Sequence, residues 1–127
     1  MKRILALTLA LAVMFTVFAS AAFTDVDAST PQGKAITALA EKKILGGFED
    51  GTFQPNATVT REQFAKILFA YKTNKSAADA VSDSGFSDVA ADRWSAGFIK
   101  WASDNKIVGG MGDGSFAPTA TLTMAQA

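Results

Sequence analysis

The chain has 127 residues, with 12 basic and 12 acidic side chains, no cysteine and no histidine. Without cysteine there are no disulfide staples and no lipid anchor on an N-terminal thiol. The balanced charge offers no concentrated basic face for nucleic acid, and the missing His and Cys remove the commonest general base and the thiol nucleophile.

In chain order, the first segment is a leader. Lys2 and Arg3 precede an uncharged run from Ile4 to Phe18, and Ala19-Ser20-Ala21 follows. A basic start, an apolar stretch and an A-x-A site predict a signal peptide over 1–21. The run to Ala22 approaches the ~20 residues that span a bilayer, so an uncleaved anchor is the competing reading. The cleavage site, and the abrupt onset of patterned sequence at Phe23, favour removal. Losing Lys2 and Arg3 leaves ten basic against twelve acidic groups, about −2. Ten Phe and two Trp then supply one modest core.

From Phe23 the sequence repeats, with Phe86 following Phe23 by 63 positions. At the same offset Asp88 answers Asp25, Ile99 answers Ile36, and Gly109-Gly110 answers Gly46-Gly47. Asp113-Gly114 answers Asp50-Gly51, Phe116 answers Phe53, Pro118 answers Pro55, and Thr121 and Thr123 answer Thr58 and Thr60. The shared positions are turn residues, glycines and large apolar groups, which a common backbone requires. The units run 22–72 and 86–127, joined by a connector at 73–85 rich in Lys, Asn, Ser, Ala and Asp.

Each unit reads as helix, turn-rich loop, helix. Ser29 with Gln32 has capping-box spacing, Pro31 fits a first turn, and Ile36, Leu39 and Ala40 share a face. In the second unit Asp92 takes the cap position, ahead of a stripe of Trp94, Phe98, Ile99 and Ala102. Both helices are expected to end at the Gly-Gly pairs, where a left-handed cap needs no Cβ. Asp50-Gly51 and Asp113-Gly114 are turn signals, and Phe53 is expected to fold back into the core. Thr60-Arg61-Glu62-Gln63 predicts another capping box, opening a helix with a Phe64, Ile67, Leu68, Tyr71 stripe. A short helix is also expected over 77–81.

The ordered set Phe23-Thr24-Asp25-Val26, then Ile44 to Pro55, then Val59-Thr60-Arg61-Glu62 resembles the S-layer homology (SLH) repeat of bacterial envelope proteins. The second copy carries most of it from Phe86 to Thr123. The resemblance implies a mainly α fold of tandem helix–loop–helix repeats, here a partial pseudo-threefold bundle. It implies a non-catalytic module, exported to the cell wall or S-layer. Such modules bind secondary cell-wall polysaccharide, often pyruvylated, or peptidoglycan. A structural envelope protein whose repeats engage other proteins, without glycan, is the alternative.

A pyruvylated sugar would ask for a cation, backbone donors and an aromatic platform. Arg61 matches the family's basic motif position and opens a helix, so its guanidinium and free N–H groups suit one planar anion. Its competing role is a solvated arginine paired with Glu62 or Glu49. Gly46 and Gly47 would allow close approach to the backbone, or simply cap a helix. Trp94 reads as core before platform, while Trp101 falls off the stripe as an exposed stacking candidate. Asp25 and Asp88 are expected to bind backbone N–H groups before the first helix of each unit. Asp50, Gly51, Asp113, Gly114, Thr60 and Thr123 complete the structural motif. Glu49-Asp50-Gly51 lacks the ligand count of a calcium loop, so neither metal nor cofactor is expected. Catalysis by paired acids is disfavoured, because the repeated carboxylates sit in cap and turn contexts.

The copies differ where chemistry matters. Met124 and Ala125 replace Arg61 and Glu62, and Pro31 stands where Trp94 would be. Repeat 2 stops four residues after Thr123, without the amphipathic helix that covers such a face. A longer reading frame, further SLH repeats or homo-oligomerisation would each supply it. Nucleic acid is not an expected partner, nor is a membrane once the leader is removed.

Overall fold

The computed structural model describes residues 23–79 and 81–123. The leader over 1–21, Met124, Ala125 and the rest of the segment after Thr123 lie outside the described residues. Three helices are present among the described residues: α1 Pro31–Glu41, α2 Arg61–Thr73 and α3 Ala96–Asp104. No strand occurs among the described residues, only an antiparallel bridge between Thr60 and Thr121. The fold is mainly α, and the two units occur in tandem.

Local chemistry sets the helix starts, with two corrections. Thr30, not Ser29, caps α1, accepting from Gly33 N at 3.0 Å. The Ser29 amide and hydroxyl instead both donate to Asp27 Oδ1, at 2.9 and 2.7 Å, and Pro31 sits in the first turn. Asp92 does not cap α3, which begins four residues later behind Ser95. The capping box at Thr60 and Gln63 forms as its spacing predicts. No helix forms over the described residues of 77–81.

The helix ends are also corrected. The left-handed residues are Lys43 (φ 58°) and Lys106 (φ 57°), not the glycine pairs. Lys43 N donates to Ala40 O at 2.8 Å and Ile44 N to Leu39 O at 2.9 Å. Lys106 N to Ser103 O and Ile107 N to Ala102 O repeat this at 2.9 and 2.8 Å. These are the two crossed bonds of a Schellman motif, made by lysine in both copies. The second glycine of each pair has a different duty. A Cβ on Gly110 would lie 2.7 Å from the Phe86 ring and 2.8 Å from Ser115 O, and Gly47 is filled likewise by Phe23 and Thr52 O. Beside Gly46 and Gly109 the space is open.

The core crosses the repeat boundary. It joins Ala65 and Phe69 of α2 to Val89, Phe116 and the α3 residues Ala96, Phe98, Ile99 and Ala102. Among the described residues α2 packs only against α3, and α1 against neither. The buried face of α2 is Glu62, Ala65, Phe69 and Ala70, rotated from the predicted stripe, so Tyr71 is 60 % exposed. On that face the small side chain of Ala65 and the ring of Phe69 join α3 in the core. Phe116 is fully buried. Its counterpart Phe53 is half-buried, with the Phe23 ring centred 5.1 Å away.

Candidate functional site

Each loop is held by its own aspartates. Asp25 accepts from Phe53 N at 2.8 Å and Gln54 N at 2.7 Å. Asp88 does the same for Phe116 N and Ala117 N, at 2.8 and 2.7 Å. These carboxylates therefore satisfy backbone donors, but in the loop 28 residues onward rather than before the first helix. The first amide of each pair, with help from the second, outweighs desolvation and holds both carboxyls below their ordinary value. Asp50 takes Thr52 N and Oγ1, and Asp113 takes Ser115 N and Oγ, around Gly51 (φ 81°) and Gly114 (φ 88°). Left-handed backbone at those two positions favours glycine.

Onto the second loop docks the start of α2. Arg61 N donates to Ala120 O at 2.9 Å, Glu62 N to Pro118 O at 3.0 Å, and Leu122 N to Val59 O at 2.8 Å. The first-turn N–H groups of α2, which a helix leaves without internal partners, thus find carbonyls in the other copy. The Arg61 guanidinium lies 4.5 Å above the Phe116 ring centre. Its Nε donates to Phe116 O at 2.8 Å and Nη2 to Gly109 O at 2.6 Å.

Glu62 is buried beside it, 6 % exposed. It receives Arg93 Nε and Nη2 at 2.8 and 3.0 Å, and Ser95 Oγ at 2.6 Å. Burial alone would raise the Glu62 pKa. The hydrogen bonds from Arg93 and Ser95, with the Arg93 charge, reverse that and lower it. The pairing of Arg61 with Glu62 or Glu49 is thereby corrected: Glu62 belongs to Arg93. Among the described residues Arg61 pairs with no carboxylate.

Two grooves result. One, of about 390 Å³, runs between Arg61 and the second loop, with Phe64, Gly109, Gly110 and Met111 on its walls. The other, of about 300 Å³, runs along the first loop past Gly46, Gly47 and Phe48 to Lys66 and Trp94. Arg61 is in the first groove, and Gly46, Gly47 and Trp94 are in the second, so these expected ligand residues do not form one site.

The tryptophans exchange roles. Trp94 precedes α3 and is 53 % exposed, with Lys66 Nζ 5.9 Å from its ring centre. Trp101 is half-buried against the core, edge-on to Phe69 at 5.2 Å between centres. Lys66 and Met111 are groove residues that sequence reasoning missed. Lys66 is exposed on α2, and as the one charge between Phe64 and Tyr71 it was the available signal. No cluster of three metal-ligating groups occurs among the described residues.

The S-layer homology domain family matches residues 22–65 and 85–127. A "Surface layer protein" of Brevibacillus choshinensis is 32 % identical over the whole chain, which covers 12 % of that relative. A "Middle cell wall protein" of Brevibacillus brevis is 31 % identical, again over the whole chain and 13 % of the relative. A "Cellulosome-anchoring protein" of Acetivibrio thermocellus is 33 % identical over 65 % of the chain and 19 % of its own length. No solved structure matches significantly. With both copies matched and their loops built alike, the chain belongs to the S-layer homology domain family.

Proposed function

We propose that this chain is a non-catalytic module that holds an exported protein on the bacterial envelope by gripping wall glycan. The ligand is secondary cell-wall polysaccharide in pyruvylated form, or peptidoglycan. The observation that carries the reading is Arg61, a cation fixed by two carbonyls at a groove and neutralised by no carboxylate among the described residues. Arg suits a planar carboxylate. In the other groove Trp94 offers a ring face and Lys66 a second cation. The names of the relatives, surface-layer, cell-wall and anchoring proteins, support an envelope location. The signal peptide over 1–21, and the pseudo-threefold bundle of which two units are described, belong to the same proposal.

Exposed Phe48 and Met111, at 47 and 55 %, favour the second reading, contact with other envelope proteins. One experiment separates the two. Wall sacculi should retain the chain, and stripping the secondary polymer should release it. Equal retention on stripped sacculi moves the ligand to peptidoglycan, and failure to bind either preparation defeats the glycan reading. Arg61→Ala should weaken retention at least tenfold, about 1.4 kcal/mol, with the fold checked by circular dichroism because Arg61 also ties the second loop.

A further inference from the structure

Both neighbours of Trp94 are tied to one carboxylate. Arg93 gives Glu62 a two-pronged bond, Nε to Oε2 at 2.8 Å and Nη2 to Oε1 at 3.0 Å. From the other side Ser95 Oγ donates to Oε2 at 2.6 Å. Glu62 and Ser95 are buried, whereas Trp94, held between Arg93 and Ser95, is exposed.

To make this clamp, α3 forgoes its cap. Ser95 stands at the N-cap of α3 and makes no side-chain cap bond. A serine there ordinarily accepts from the first-turn amides of its own helix. Here its hydroxyl turns to Glu62, in the other repeat. α1 and α2 both keep their threonine caps. Helix building alone therefore does not account for Ser95.

What the clamp holds is a ring ahead of the helix. The Trp94 ring lies 6.3 Å from Phe98 between centres, and Lys66 Nζ lies 5.9 Å from its own centre. Lys66 follows Glu62 by four residues on α2. One helix thus supplies the carboxylate that anchors both flanks of Trp94 and the cation that faces its ring. Ring and cation line the groove along the first loop, and among the described residues Lys66 pairs with no carboxylate. A sugar ring carrying a carboxylate suits that pair, its apolar face against the indole and its anion against the ammonium. Copy 1 lacks the whole arrangement: Thr30, Pro31 and Gln32 stand 63 positions before Arg93, Trp94 and Ser95. Where there is no ring to hold, there is no clamp.

We propose that Glu62 is a positioning residue for glycan capture, holding Arg93 and Ser95 so that Trp94 stands as a fixed wall beside Lys66. This rests on the glycan reading given above. Glu62 acts through the ring and touches no ligand itself.

Trp101→Phe leaves Trp94 as the one tryptophan of the chain, so emission anisotropy reports how firmly its ring is held. In that background Glu62→Gln keeps the side chain's size and removes its charge. Ser95→Ala removes a single bond, and keeps the test open should Glu62→Gln fail to fold. Each should lower Trp94 anisotropy and weaken retention on intact wall sacculi, Glu62→Gln several-fold and Ser95→Ala less. Ile99→Val trims the core and removes none of the clamp's hydrogen bonds. It should leave both readings unchanged at a temperature where circular dichroism shows every variant folded. Unchanged anisotropy or unchanged retention in the clamp variants would overturn the proposal. Equal losses in Ile99→Val would overturn it too, because the clamp would then act through stability alone. If the Trp101→Phe parent is not retained at all, the glycan reading fails and the role in capture falls with it. That result is distinct from a retained parent whose clamp variants bind equally well.

Discussion

The two copies share a loop backbone almost bond for bond, yet they occupy different states. In copy 2 the loop is roofed by α2, Phe116 is fully buried and α3 has a helical neighbour. In copy 1 the same turns, the same aspartate clamp and the same lysine-capped helix end have no helix packed over them among the described residues, and Phe53 is half-buried. Loop conformation is therefore local, made by Asp25, Asp50 and Gly51 or their counterparts. Burial is not local, because it depends on which helix packs above.

The largest expected contrast is between the matched phenylalanines. Phe116→Ala should lower stability by about 3–5 kcal/mol, the usual range for emptying a core phenylalanine site. Phe53→Ala should cost about 1 kcal/mol or less, since its ring stays partly in water. Thermal melts followed by circular dichroism compare the two, and equal losses would erase the distinction between the copies.

Next comes the ion pair that exists in one interface only. Glu62→Ala removes three hydrogen bonds and leaves buried Ser95 without its acceptor, a loss of about 1–3 kcal/mol. The Glu62 pKa is lowered in the fold, so its contribution is complete above the ordinary value of 4.5 and fades as pH falls through the lowered one. Wild-type stability should drop with acid over that window, and Glu62→Gln should flatten the part due to this group. A denaturant series at several pH values tests the slope. Asp25 and Asp88 act with the same sign in both variants.

The smallest effect is optical. Acrylamide should quench Trp94 more readily than Trp101, so Trp94→Phe should remove most of the quenchable emission while Trp101→Phe leaves it. The reverse ranking would contradict the packing of Trp101 on Phe69.

The repeat, the mainly α class, the turn at Asp50-Gly51 and the capping box at Thr60 were legible because each is written within a few residues. Three things were not. Trp94 and Trp101 were ranked by a helical stripe, but α3 starts after Trp94, so spacing along that helix says nothing of its ring. The helix ends went to glycine on conformational grounds, whereas lysine adopts the left-handed turn and Gly47 and Gly110 are needed beneath a phenylalanine ring. The clamp by Asp25 and Asp88 spans 28 residues, and nothing adjacent to either aspartate announces it. The candidate site suffered most. Arg61 lines a groove, but the groove belongs to the other copy's loop.

That last displacement sets where the molecule divides. The period of the sequence runs from one Phe-x-Asp-Val to the next, whereas the closed hydrophobic unit starts at Thr60 and ends near Leu122, half a period out of phase. A cut in the connector, the natural border by composition, would part Phe69 from Ile99 and leave each half with an open face. Duplicating this segment therefore lengthens the chain by a joint as well as a module: every added copy completes the one before it and exposes a fresh end.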